Sequence, residues 1–157
     1  MWFMFNELNI KKSAEEKNSF IQCFHQPFKN EIWLGSSNSG VYVLRYDPLT
    51  HRYNSMQFLS RGPSSISNNT VNFIISDPYN NIWIGTRQGL NYLSKSESVK
   101  EKPFFQHYFA SYHFTCATIL GDQIVFGTHN NGILFYNLKN KKITEDISYL
   151  SLLRNCE

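Results

Sequence analysis

One phrase recurs three times along this chain. "NEIWLGSSNSGVYVL", "NNIWIGTRQGLNYL" and "DQIVFGTHNNGILFY" each run from apolar residues through a glycine and a hydroxyl residue to a second glycine and another apolar run. Aligned on the first glycine, Gly35, Gly85 and Gly127 fall in register at intervals of 50 and 42 residues. Repeats of roughly 40–50 residues are those of propeller blades, four-stranded units that cannot bury their faces alone. Ile32-Trp33, Ile82-Trp83 and Ile124-Val125 precede that glycine in the three copies. Ser36, Thr86 and Thr128 follow it, and Gly40, Gly89 and Gly132 stand at the next turn.

Each unit reads as four short strands. In the second these fall at about 71–76, 81–86, 89–93 and 104–109, with "DPYN" from Asp77 as a type I turn between the first two. Pro presets the backbone at the second turn position, and the Asp carboxylate can bond back to the main chain. Gly89, like Gly40 and Gly132, stands where a positive φ is expected. Strand alternation sends Ile82 and Ile84 to one face and Trp83 to the other, so both faces are apolar. A sheet buried on both faces must be sandwiched between neighbours. Trp83 then fills one space between blades, the isoleucines fill the opposite one, and Gly85 lets adjacent backbone approach closely.

The expected fold is all-β: about three four-stranded blades of an incomplete β-propeller. Residues 1–18 form an N-terminal extension with a helical turn near "SAEEK". Residues 19–142 hold the repeats, at about 19–60, 61–110 and 111–142, and residues 143–157 open a truncated fourth blade. Three blades leave two faces uncovered, one near Phe20–Phe24 and the other near Ile133–Tyr136.

Composition agrees with one packed β domain. Hydrophobic residues make up 41% of the 157-residue chain and aromatics 16%, against 17% charged, which excludes a disordered chain or a coiled coil. The net charge of +3 comes from scattered lysines, read as solvated surface rather than a nucleic-acid groove. Three cysteines without CxxC spacing exclude a disulfide framework; Cys23 and Cys116 read as small core residues. The opening "MWFMFNELNIKK" is too short for a signal peptide, and no run approaches a membrane span, so this segment is expected to make no membrane contact.

Catalytic chemistry is not legible. His25, His51, His107, His113 and His129 are dispersed and read as surface or loop residues. "GTHNNG" lacks the lysine and helix of a phosphate loop, and Asp47, Asp77 and Asp122 recur at turns. No catalytic, cofactor-binding or metal-binding residue is assigned, and the chain is read as neither an enzyme nor a cofactor protein. Trp33 and Trp83 read as core residues; Tyr79, Tyr92 and Tyr108 are looser candidates for stacking on sugar rings.

"SISNNTVNFIISDPYNNIWIGTRQGLNYL", Ser65 to Leu93, resembles the two-component regulator propeller repeat nearly end to end. "NEIWLGSSNSGVYVLRYDPLTHRY" is a second match, and the third copy carries Val125 in place of the usual tryptophan. That repeat occurs in tandem in the sensors of bacterial hybrid two-component systems, especially those of gut Bacteroides. The resemblance implies a periplasmic piece of a non-catalytic sensing propeller, responsive to carbohydrate and completed by further blades. An oligosaccharide is then the expected ligand of the whole sensor, and a site assembled from several blades would bind weakly in this piece alone. No ligand residue is carried over from the family. The alternative is a free-standing interaction module that closes by self-association.

Overall fold

The computed structural model describes residues 19–146, which leaves the expected N-terminal extension and the turn near "SAEEK" outside the described residues. Among the described residues, twelve strands form three antiparallel sheets of four, each built from consecutive strands in chain order. The first sheet holds β1 (Ile21–Phe28), β2 (Glu31–Ser36), β3 (Val41–Asp47) and β4 (Arg52–Phe58). The second holds β5 (Val71–Ser76), β6 (Ile82–Thr86), β7 (Leu90–Leu93) and β8 (Gln106–Tyr108), with a short helix α1 (Lys95–Ser98) between the last two. The third holds β9 (Phe114–Leu120), β10 (Gln123–Thr128), β11 (Ile133–Asn137) and β12 (Ile143–Asp146).

These are three successive propeller blades that do not close into a ring. The first strands lie innermost: β1 packs on β5 and β5 on β9. Asn72 Nδ2 on β5 donates to the Phe114 carbonyl on β9 at 2.6 Å, tying the second blade to the third.

One expected boundary is corrected. The segment from Ile143 does not open a fourth blade. Ile143 pairs with Tyr136 and Thr144 with Phe135, so β12 is the outer strand of the third sheet. The third copy's shortened turns move its last strand closer in sequence. Residues 147–157 lie outside the described residues.

Two cores fill the spaces between the sheets, and strand alternation divides residues between them. Trp33, Val43, Ile82, Ile84 and Phe105 share the core between the first and second sheets. Phe73, Trp83, Ile124, Phe126 and Leu134 share the core between the second and third. Trp83 and its two isoleucine neighbours therefore face opposite blades. Each fully buried aliphatic side chain here contributes about 1.5–3 kcal/mol. Each indole N–H is also satisfied: Trp33 Nε1 donates to Glu31 Oε1 at 2.5 Å and Trp83 Nε1 to Asp77 Oδ2 at 3.3 Å.

The "DPYN" turn is formed as its residues require. Asn80 N–H donates to the Asp77 carbonyl at 2.9 Å, and Asp77 Oδ1 accepts from the backbone of Tyr79 and Asn81. At the second glycine, φ is +67° for Gly40, +98° for Gly89 and +70° for Gly132. The hydroxyls of Ser36, Thr86 and Thr128 each donate to the carbonyl of that glycine, at 2.9, 2.8 and 2.7 Å, which clamps the turn.

The first glycine has a different role from the one expected. What approaches Gly85 is not backbone but the ring of Phe73 on the paired strand, and Cys23 and Cys116 stand likewise over Gly35 and Gly127. The cysteines thus hold equivalent positions in different surroundings. Cys23 is half-buried, with its thiol toward the Val71 carbonyl of the next blade at 3.8 Å. Cys116, expected in the core, is exposed, because among the described residues no blade follows the third.

Candidate ligand cleft

Blades that radiate from an axis diverge outward, so each gap between them widens toward the periphery. The two gaps here are treated differently. The long β7–β8 connection folds back into the first gap. Its Phe105 is buried against Phe58, ring centroids 5.3 Å apart, and Arg45 Nη2 donates to the Ser98 carbonyl at 3.1 Å. In the second gap the equivalent connection is a tight turn between β11 and β12, closed by a 2.9 Å bond from Lys141 N–H to the Asn137 carbonyl. It is too short to reach across. A cleft of about 680 Å³ is left between the second and third sheets.

Aromatic rings line it. Tyr92 on β7 and Tyr136 on β11 each hold their ring centroid 4.7 Å from that of Trp83. Tyr108 on β8 lies 6.1 Å from the same indole, and Tyr79 stands at the rim on the "DPYN" turn. The tyrosines are thus the walls, and the buried Trp83 lies behind them in the core. Burial raises the pKa of Tyr92, and the negative charge of Asp77 raises it further. Burial also raises that of Tyr136, with Tyr108, Tyr92 and Asp77 adding to it. Both phenols stay protonated across the physiological range. Tyr108 Oη donates to Gln106 Oε1 at 3.0 Å.

The polar groups at the cleft divide into engaged and available ones. Asp77 is 5% exposed, and its carboxylate accepts from two backbone N–H groups, the Asn81 amide and the Trp83 indole. It is a structural hub rather than a free acid. Lys139 pairs with Asp122 at 2.5 Å, an exposed ion pair whose bond to Asp122 raises the lysine pKa. Lys141 and the Gln106 amide also border the space. Aromatic faces flanked by hydroxyl, amide and ammonium donors suit the apolar face and hydroxyl rim of a sugar ring. Among the described residues no three His, Cys, Asp or Glu side chains gather as metal ligands.

Tyr79, Tyr92 and Tyr108, read from the sequence as loose stacking candidates, come together here. Tyr136 was not among them, although a signal existed. Alternation in "GILFY" puts Tyr136 with Leu134, on the face of Ile124 and Phe126 that meets Trp83. Trp33 and Trp83 are fully buried. The remaining motif positions shape strands and turns and do not line the cleft. One histidine needs a correction. His25, expected at the surface or in a loop, is half-buried on β1 and bonds Ser76 Oγ through Nε2 at 2.8 Å. His113 lies in the loop before β9 and stacks on His129 with centroids 5.3 Å apart.

The sheets, their order and the motif at their centre can now be set beside known proteins. Residues 65–88 match the family described as two component regulator propeller. The chain carries a two-component regulator propeller repeat. Histidine kinase P4 of Formosa agariphila is 34% identical over 102 residues, which cover 62% of this chain and 7% of the kinase. The extracellular domain of a hybrid two-component system from B. thetaiotaomicron superposes on 89% of the chain with a TM-score of 0.64 and 18% identity, and 20% of that domain is covered. The corresponding domain of a second such system from B. thetaiotaomicron superposes on 80% of the chain, with a TM-score of 0.61 and 19% identity over 16% of its own length. PorZ, a surface component of the type-IX secretion system of Porphyromonas gingivalis, matches with a TM-score of 0.58 and 15% identity, over 80% of this chain and 21% of its own. These structural likenesses concern the fold. The chain spans a small part of each relative. Among the described residues no helix is long and apolar enough to cross a membrane.

Proposed function

We propose that this chain is part of the periplasmic, non-catalytic sensing propeller of a two-component regulator, and that the tyrosine cleft holds one ring of an oligosaccharide. The observation that carries the reading is the unfilled gap between the second and third sheets, walled by Tyr92, Tyr108 and Tyr136 over Trp83. The gap between the first and second sheets is plugged by Phe105, so an open gap is not a general property of these blades. A sugar wedged between two blades binds best at one blade-to-blade angle. That differential affinity is what biases a sensor between conformations. Further blades of the same sensor complete the ring.

Calorimetry against a panel of oligosaccharides tests it. The expected result is saturable binding by the whole sensor, weaker in the isolated chain, and lost in Tyr136→Ala and Tyr92→Ala. Tyr136→Phe keeps the ring and should retain most of the affinity, which separates stacking from a folding defect. Binding that is indifferent to Tyr92 and Tyr136 would overturn the assignment of the cleft.

A second reading has its own observation. Phe24 is 77% exposed on the outer side of the first sheet and Leu120 is 64% exposed on that of the third. Those faces favour association between copies wherever further blades do not follow. Equal affinity for sugar in a closed assembly of this chain and in a larger sensor would favour that reading.

A further inference from the structure

A sugar hydroxyl both donates and accepts, so a site built for neutral sugars offers acceptors as well as donors. In the tyrosine cleft the strong acceptors are already used. The Asp77 carboxylate takes two backbone N–H groups, the Asn81 amide and the Trp83 indole. Asn81 Oδ1 accepts from Lys95 N–H at 3.1 Å, and Gln106 Oε1 accepts from Tyr108 Oη at 3.0 Å. The ion pair with Lys139 occupies Asp122.

The donors are free. Among the described residues the Tyr92 and Tyr136 hydroxyls, the Gln106 amide nitrogen and the Lys141 ammonium have no hydrogen-bond partner, and all four border the same 680 Å³ space. The charges divide in the same way. Four N–H dipoles point at the buried Asp77 carboxylate and offset it, and Lys139 is paired with Asp122. Lys141 is therefore the charge at the cleft that no described group balances. The tight β11–β12 turn puts it there: its φ is +56°, and its N–H donates to the Asn137 carbonyl at 2.9 Å. Lys142, next in sequence, is not among the residues that line the cleft.

Taking this cleft as the sugar site, we infer that it selects a uronic acid, a sugar whose ring bears a carboxylate. An ionised carboxylate accepts hydrogen bonds and donates none. It matches walls of phenol, amide and ammonium donors, and Lys141 balances its charge. The ring that carries it stacks on the tyrosines.

Ligand-observed NMR titrations of the full chain test it. Methyl glucuronide and methyl galacturonide are each compared with the matching neutral glycoside, and methyl N-acetylglucosaminide serves as a neutral acceptor. Each acid should bind about tenfold tighter than its neutral partner, the gain of one charge-assisted contact. Lys141→Gln should remove that preference while keeping the neutral glycosides bound, and Lys141→Arg should restore it. Lys142→Gln removes the same charge outside the cleft and should leave the preference intact. Tyr136→Ala should abolish binding of acids and neutral glycosides alike. Equal affinity for acid and neutral partner, tighter binding of the N-acetyl glycoside, or a preference that survives Lys141→Gln would each overturn the uronic acid while the cleft stands. Binding that ignores Tyr136, or no saturable binding by any probe, would remove the cleft as the sugar site and the acid preference with it.

Discussion

The ring of Phe73 fills the space above Gly85. A Cβ at residue 85 would stand 2.0 Å from Phe73 Cε1, closer than any side chain can come. Phe73 is held there by Phe126 of the next blade, ring centroids 6.1 Å apart. Gly85→Ala must therefore push the ring into a packed interface. Overpacking of this kind costs about 1–3 kcal/mol. Gly62→Ala, where nothing lies within 4 Å, is the control and should change stability by less than about 0.5 kcal/mol. Urea unfolding of both variants checks the pair.

Trp83 combines a core role with a polar anchor. Trp83→Ala empties a space enclosed by Tyr92, Phe126 and Tyr136 and should cost about 3–5 kcal/mol. Trp83→Phe keeps most of the apolar surface but removes one donor from the buried Asp77 carboxylate, for roughly 1–2 kcal/mol. A melting temperature unchanged in Trp83→Ala would remove it from the core.

The two described cysteines should differ in reactivity. Burial pushes the Cys23 thiol up to about 11, whereas Cys116 is exposed. The thiolate is the reacting form, so alkylation in the native state should reach Cys116 well before Cys23. Peptide mass mapping after brief iodoacetamide treatment checks it. Equal labelling would show that β1 does not stay packed on β5.

Stability should fall on mild acidification. Burial lowers the pKa of His25 below its ordinary value near 6.5, so the folded state holds it neutral beside Ser76. Between the folded and unfolded pKa values the unfolded chain binds more protons, which makes stability rise with pH. The contribution is present above about pH 6.5 and is lost as pH falls toward the folded pKa. His113 shifts in the same direction, again through burial first. Unfolding free energies at pH 7.5 and 5.5 should differ less in His25→Gln than in the parent.

The isolated chain should associate. Phe24 and Ile32 on the first sheet's outer face and Leu120 on the third's are exposed apolar groups that closure of a ring would cover. Light scattering at low micromolar concentration should return dimers or larger species, and Phe24→Ser with Leu120→Ser should shift them toward 18.4 kDa. A sharp monomer with a cooperative melt would show that three blades cap themselves.

The sequence by itself determined the blades. Glycine spacing, strand alternation around Trp33 and Trp83, and the turn residues act within a few positions, and hydrogen bonding between consecutive strands propagates them. The division of Ile82 and Trp83 between two cores follows from the two-residue period alone. Three things were decided only in the tertiary structure. Cys23 and Cys116 occupy the same place in their repeats, yet one is covered and the other is not, because burial depends on whether a next blade is present. Ile143 joins the third sheet because its partner Tyr136 has a free edge, which the repeat spacing did not reveal. The clefts depend on distant segments. Phe105 closes one gap, and a tight turn at Lys141 leaves the other open. Local pattern sets which face a side chain takes; the packing of separate blades sets what that face meets.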